Sequence, residues 1–239
     1  MTIKENIEVV KEKMAKATLK CGRKEGDVRL LMATKTVPAS TIIEAFKAGE
    51  VLIGENKVQE LVEKAAALAT WKHEAHFIGH LQSNKIKDVI KYACCIQSID
   101  RLEVAEKLEK RLASENRMMD IFVQVNTSKE ESKFGCTEDE VIPLVEKIRE
   151  FEHLNIKGLM TIGLFSDDEK LIRPCYKMLY NIKEKIEASH LVSDKLELSM
   201  GMSGDFEIAI EEGASIVRVG TSIFGKRIYP DSYYWNEQK

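Results

Sequence analysis

Apolar and polar positions along this chain keep two alternating rhythms. In one, apolar residues recur every three or four positions, as on one face of a helix. In the other, a short apolar run stands alone between turn-forming residues. The first rhythm opens the chain: Ile7, Val10, Met14 and Ala17 predict an amphipathic helix over residues 3–20. It returns over residues 41–48, 58–68, 102–114, 138–150, 168–189 and 206–212, and a further helix ends at 88–92. Gly49 and Gly213 stand where two of these helices would close. The second rhythm occupies residues 28–35, 51–54, 75–79, 94–98, 119–126, 156–162, 196–200 and 215–220, which predicts eight strands.

Short apolar strands separated by helices pair in parallel, with the helices as crossovers. Eight such units in a chain of 239 residues predict an α/β protein of the (β/α)₈ TIM-barrel type. An open, doubly wound sheet is the competing arrangement. No Pro-, Gly- or Ser-rich linker divides the chain, so residues 1–239 are expected to form a single domain.

Composition narrows the function. Apolar residues make up 44% and charged residues 31%, which excludes a disordered or fibrous chain. The net charge of −3 removes the global basic field that nucleic acid would require, but leaves room for a local anion site. No apolar run is long enough to span a bilayer, and the first residues carry no apolar signal region. Five cysteines, with no Cys-x-x-Cys pair, fit reduced thiols and a cytoplasmic location. Cys136 and Cys175 lack an activating neighbour and read as buried thiols. The His73-Glu74-Ala75-His76 stretch is one residue short of a zinc-binding helix motif, so both histidines are expected at the surface and no metal is expected. His80, at a strand end, fits either the pocket lining or a loop hydrogen bond. The charged run 129–133 reads as a solvated loop with a lid-like role as the alternative.

In a (β/α)₈ barrel, sites form at the carboxyl ends of the strands. The loops after the seventh and eighth strands, MSGD (202–205) and GTS (220–222), are rich in Gly, Ser and Thr. Glycine lets backbone approach an anion closely, and helix-start N–H groups favour negative charge. Helix capping by Ser203 and Thr221 accounts for either loop taken alone, but the two together favour phosphate. Lys35 ends the first strand. Partial burial there disfavours the ammonium form, and the neutral amine can form a Schiff base with a carbonyl. A phosphate-bearing aldehyde with an imine partner describes pyridoxal 5′-phosphate (PLP). Arg218 interrupts the eighth apolar strand and needs a partner: a strand-end carboxylate, or the pyridine nitrogen of that cofactor. An arginine stays protonated, so it would leave the nitrogen unprotonated and the cofactor a poor electron sink.

Seven stretches carry a family resemblance: LMATKT (31–36), GENKVQE (54–60), HFIGHLQSNK (76–85), NTSKEESKFG (126–135), GLMTI (158–162), LSMGMSGDF (198–206) and VRVGTSIFG (217–225). In this order, over nearly the whole chain, they resemble the pyridoxal phosphate homeostasis protein family. The resemblance implies a single barrel like the N-terminal domain of alanine racemase, a fold type III PLP barrel, without that enzyme's C-terminal β domain. It implies PLP on Lys35 as a Schiff base, phosphate around Ser203, Gly220 and Thr221, and Arg218 facing the pyridine nitrogen. Asn56, Met160 and Ser199 are implied pocket members. One departure is Ala75, where the family often has tryptophan.

Two functions share this cofactor: a carrier for intracellular vitamin B6 homeostasis without turnover, and a PLP-dependent amino-acid racemase. A two-base racemase like alanine racemase takes its second base, a tyrosine, from the C-terminal domain of a partner subunit. Only residues 226–239 follow Gly225 here, with Tyr229, Tyr233 and Tyr234 among them. Loss of a positioned acid/base removes roughly 10²–10⁴ in rate. The expectation is therefore a non-catalytic, monomeric PLP carrier whose partners are PLP and apo forms of PLP-dependent enzymes.

Overall fold

The computed structural model describes residues 1–225; the aromatic stretch from Tyr229 to Trp235 lies outside the described residues. The elements run α1 (Ile3–Lys20), β1 (Arg29–Ala33), α2 (Ala39–Lys47), β2 (Leu52–Glu55), α3 (Val58–Leu68) and β3 (Glu74–Phe77). A 3₁₀ turn (Ser83–Lys85) leads into α4 (Ile86–Tyr92), then β4 (Cys95–Ile99), α5 (Leu102–Glu115), β5 (Met119–Gln124) and α6 (Glu138–Ile148). The chain continues with β6 (Leu154–Met160), α7 (Glu169–Ala188), β7 (Glu197–Met202), α8 (Phe206–Glu211), β8 (Ile216–Val219) and α9 (Thr221–Phe224).

All eight strands pair in parallel in sequence order, and β1 pairs with β8. Leu31 stands opposite Arg218 across that seam. Closure removes the edges that a doubly wound sheet would keep, so the open-sheet alternative is excluded. The first helix begins with a capping box, in which Thr2 and Glu5 exchange hydrogen bonds with each other's backbone. Its apolar stripe of Ile7, Val10, Met14 and Ala17 is buried, as the spacing requires.

Two apolar layers result. The larger lies between the strands and the surrounding helices and takes in Ile42, Phe77, Leu108, Val145, Leu179 and Ile210. Ala75 belongs to this layer and is buried. The smaller fills the barrel interior with Leu31, Leu52, Cys95, Phe122, Met160 and Ile216. Side chains two apart on a strand share a face. Leu31 and Ala33 therefore place Lys35 on the inner face of β1, Leu52 does so for Asn56 beyond β2, and Ile216 does so for Arg218 on β8. The apolar interior plugs the lower barrel, and the polar residues of the same parity lie toward its carboxyl end.

Candidate functional site

A cavity of about 430 Å³ opens at the carboxyl end of the barrel. Its walls bring together Lys35, Asn56, Met160, Ser203, Arg218, Gly220 and Thr221. These seven lie on five strands or the loops that follow them. Ser199 does not line the cavity: it is fully buried and reaches it only through Arg218. The remaining wall comes mainly from the β6–α7 segment, including Ile162, Leu164, Phe165, Ser166 and Asp167. No periodicity marks residues 163–167, which lie between the strand pattern ending at Ile162 and the helix pattern starting at 168.

Lys35 is 7% exposed, and a salt-bridged cluster pins the backbone on both sides of it. Lys64 Nζ donates to the Thr34 carbonyl at 2.8 Å, and Glu60 Oε2 accepts the Thr36 N–H at 2.6 Å. Lys64 also bridges Glu60 and Glu55, each at 2.8 Å. Thr36 itself has φ +64°, an uncommon conformation for a residue other than glycine. Glu55 is 1% exposed; Oε1 accepts from Thr34 Oγ1 at 2.6 Å. Burial pushes the Glu55 carboxyl above the ordinary range, against the pull of Lys64 and Thr34. The Glu60/Lys64 spacing of four on a helix was the available sequence signal for this cluster.

Arg218 is buried, and among the described residues no carboxylate pairs with it directly. Its Nη1 donates to Ser199 Oγ at 2.9 Å and its Nη2 to the Thr161 carbonyl at 2.7 Å. Burial brings its pKa down to about 10, while Tyr176 and Asp205 pull it upward, so the guanidinium stays charged at neutral pH. Just beyond Arg218, where β7 and β8 end, Ser203 Oγ accepts the N–H groups of Gly220 at 3.2 Å and Ser222 at 3.4 Å. Its position suggested a cap for the helix after β7, but the N-cap there is Asp205, and the Ser203 hydroxyl reaches across to the start of α9 while also lining the cavity. Accepting two N–H groups leaves its own proton to donate. Asp205 is engaged by Tyr176 Oη at 2.7 Å and by the Met202 N–H at 2.6 Å.

Three surface expectations change. His76 is not at the surface: it is 5% exposed inside the barrel, because its strand parity points inward with Gly54 and Cys95 beside it. His73 stacks on Phe46 with ring centroids 5.3 Å apart. Within the 129–133 run, Lys133 is not solvated: it pairs with Glu130, donates to the Gly163 carbonyl at 2.6 Å and lies over the Phe165 ring. It thereby ties the β5–α6 loop to the cavity wall. His80 stacks on Phe134 and faces Asp100 at 3.6 Å, outside the lining. Cys136 and Cys175 are buried, and burial pushes the Cys136 thiol up to about 12. Among the described residues, no cluster of His, Cys, Asp and Glu could hold a metal, and no helix is long and apolar enough to cross a membrane.

The closed eight-stranded parallel barrel, which carries a buried lysine just after β1 and a Ser/Gly/Thr corner after β7 and β8, belongs to the alanine racemase N-terminal domain fold. The family model of that description, "Alanine racemase, N-terminal domain", matches residues 2–228. An alanine racemase of Clostridium difficile superposes with a TM-score of 0.73 at 14% identity, over 96% of this chain and 57% of the enzyme, which establishes the common fold. Within that class the sequence points further. A pyridoxal phosphate homeostasis protein of Aquifex aeolicus is 39% identical over 225 residues, 94% of this chain and 98% of the relative. The structure of PipY from Synechococcus elongatus, with PLP bound, superposes with a TM-score of 0.80 at 28% identity, covering 94% of this chain and all of PipY. The chain belongs to the pyridoxal phosphate homeostasis protein family.

Proposed function

We propose that this chain holds and releases PLP at the mouth of its barrel, with Lys35 as the covalent anchor, and turns over no substrate. One observation carries the reading: a buried primary amine and a hydroxyl-rich, glycine-rich corner share one cavity with a buried guanidinium. This donor set fits a phosphate-bearing aldehyde. Bound there, the cofactor supplies an aldehyde that condenses reversibly with an amine. Lys35 presents that amine from the inner face of β1, held by the pinned backbone on either side. Ser203 and Thr221, with their hydroxyls, and the backbone at Gly220 would hold the phosphate. Arg218 would hold the ring nitrogen as a permanent donor and leave it unprotonated, which would weaken electron withdrawal through the ring. Asn56 and Met160 bound the sides.

The same lining supports the absence of turnover. Among the described residues, its ionisable side chains are Lys35, Asp167, Asp205 and Arg218. Asp167 is exposed to solvent on the β6–α7 segment, Asp205 is already engaged by Tyr176 and Met202, and Arg218 cannot act as a base near neutral pH. A two-base racemase needs a second base opposite its lysine. A role as a monomeric, cytoplasmic single-domain carrier serving enzymes that lack the cofactor is consistent with the five-thiol sequence.

Borohydride reduction followed by mass spectrometry tests both the cofactor and its attachment. The expected product is one PLP-sized adduct on the peptide containing Lys35, absent from Lys35→Ala. An adduct on another lysine overturns the anchor. Amino-acid racemisation above that of free PLP, and lost in Lys35→Ala, overturns the carrier reading in favour of the racemase.

A further inference from the structure

Four buried side chains from four different strands form a continuous hydrogen-bonded line across the barrel. Arg218 Nη1 donates to Ser199 Oγ at 2.9 Å, Ser199 Oγ donates to Gln97 Oε1 at 2.6 Å, and Gln97 Nε2 meets His76 Nδ1 at 2.7 Å. Gln97 and Ser199 are fully buried, and His76 and Arg218 are each 5% exposed. We propose that Gln97 and His76 are positioning residues: they run a one-way hydrogen-bond chain through Ser199 that sets the direction in which Arg218 faces the cavity.

The direction follows from the end group. A guanidinium can only donate. Ser199 Oγ therefore accepts from Arg218, and its single proton points the other way, to the Gln97 amide oxygen. That orients the amide: its oxygen faces Ser199 and its NH₂ faces His76. His76 Nδ1 must then be the unprotonated acceptor, with the ring proton on Nε2 and no net charge on the imidazole. Burial, with Arg29 adding to it and Glu74 opposing, brings the His76 pKa down to about 4, so the ring keeps this state through neutral pH. Cys95, opposite His76 on β4, is held protonated by burial and adds no charge. Flipping the amide would make Ser199 accept from both sides with its own proton unused and would require the proton on His76 Nδ1, so the histidine tautomer reports the direction of the chain. The Thr161 carbonyl holds Nη2, so two acceptors from β7 and the end of β6 define the guanidinium plane. The N–H groups left over are those that can turn to the cavity.

This inference takes its purpose from the PLP reading, but its geometry is tested without the cofactor. Nitrogen-15 NMR of histidine in the ligand-free protein should show His76 with Nε2 protonated and Nδ1 bare from pH 8 to pH 5. In Gln97→Leu that single tautomer should give way to a mixture. A His76 that is protonated at Nδ1, or that titrates near the ordinary histidine value, overturns the chain whether or not PLP binds. In the PLP-loaded protein, Gln97→Leu and Ser199→Ala should each move the pH midpoint of the cofactor's visible absorbance by about half a unit or more. Val104→Ala, in the outer apolar layer, should lower Tm without that movement. Lowered Tm with an unmoved midpoint in both cavity-side variants makes the line merely structural and overturns the proposal. Wild-type protein that takes up no PLP overturns the binding reading instead, and the NMR result then decides the chain.

Discussion

Ser203 Oγ accepts the Gly220 N–H at 3.2 Å, which ties the loop after β7 to the loop after β8. One hydroxyl thus shapes the corner assigned to phosphate and still has a proton to donate. Ser203→Ala removes both roles. A hydrogen bond to a charged group contributes roughly 1.5–3 kcal/mol, so PLP affinity should fall about 10- to 100-fold. Spectroscopic titration with PLP measures this, and borohydride should still place the residual adduct on Lys35. Unchanged affinity would mean that the phosphate sits elsewhere.

Lys64 holds the backbone beside Lys35 and neutralises a carboxylate that is 1% exposed. Lys64→Met leaves Glu55 buried without its counter-ion, which costs about 3–5 kcal/mol. Glu55→Gln removes the buried charge instead of stranding it, so its cost should be clearly smaller. Urea denaturation of the two variants gives the comparison. If Glu55→Gln proves the more damaging, the carboxylate charge itself has a role that this geometry does not supply.

His76 makes stability depend on pH with a definite sign. Its folded pKa of about 4 lies below the ordinary 6.5. Between these values the unfolded chain takes up a proton that the folded ring refuses, so stability is fully present above pH 6.5 and falls as pH drops toward 4. The shift corresponds to about 3 kcal/mol. Chemical denaturation at pH 7 and pH 4.5 should show a steeper loss for the wild type than for His76→Phe. Parallel slopes in the two proteins would rule out a buried neutral histidine.

Gly79 lies where the chain leaving β3 crosses Asn56. A Cβ at this position would meet the Asn56 carbonyl oxygen at 1.9 Å. Gly79→Ala must push apart two backbone segments and displace a cavity-lining residue, at a cost of about 1–3 kcal/mol or more. Both Tm and PLP affinity should drop. By contrast, Gly204→Ala, which meets nothing within 4 Å, should leave Tm nearly unchanged. Calorimetry of the pair separates close approach from a general intolerance of side chains at glycine positions.

The strand positions were readable because short apolar runs stand between turn-forming residues, but both faces of such strands are apolar, so only the packing showed that Leu31 fills the barrel while Leu30 and Met32 face the helices. The turn into α4 was harder, since residues 83–85 take a 3₁₀ form with no buried side chain to mark it. His76 misled for a related reason. A single histidine within a short strand carries no periodic signal of its own, and its burial depends on Gln97 arriving from the neighbouring strand.

By itself the sequence determined the order of strands and helices and the motifs that place the chain in its family. These are local properties, set by the spacing of apolar residues and by turn chemistry. The tertiary structure alone decided that β1 meets β8, which carries Lys35 and Arg218 into one cavity, and that Ser199 serves from beneath it. It also decided the clamp of Lys64 and Glu60 and the line from Arg218 to His76. Apolar runs and helical spacing tell which elements form, whereas closure of the barrel decides which strand residues turn inward and what stands across from them.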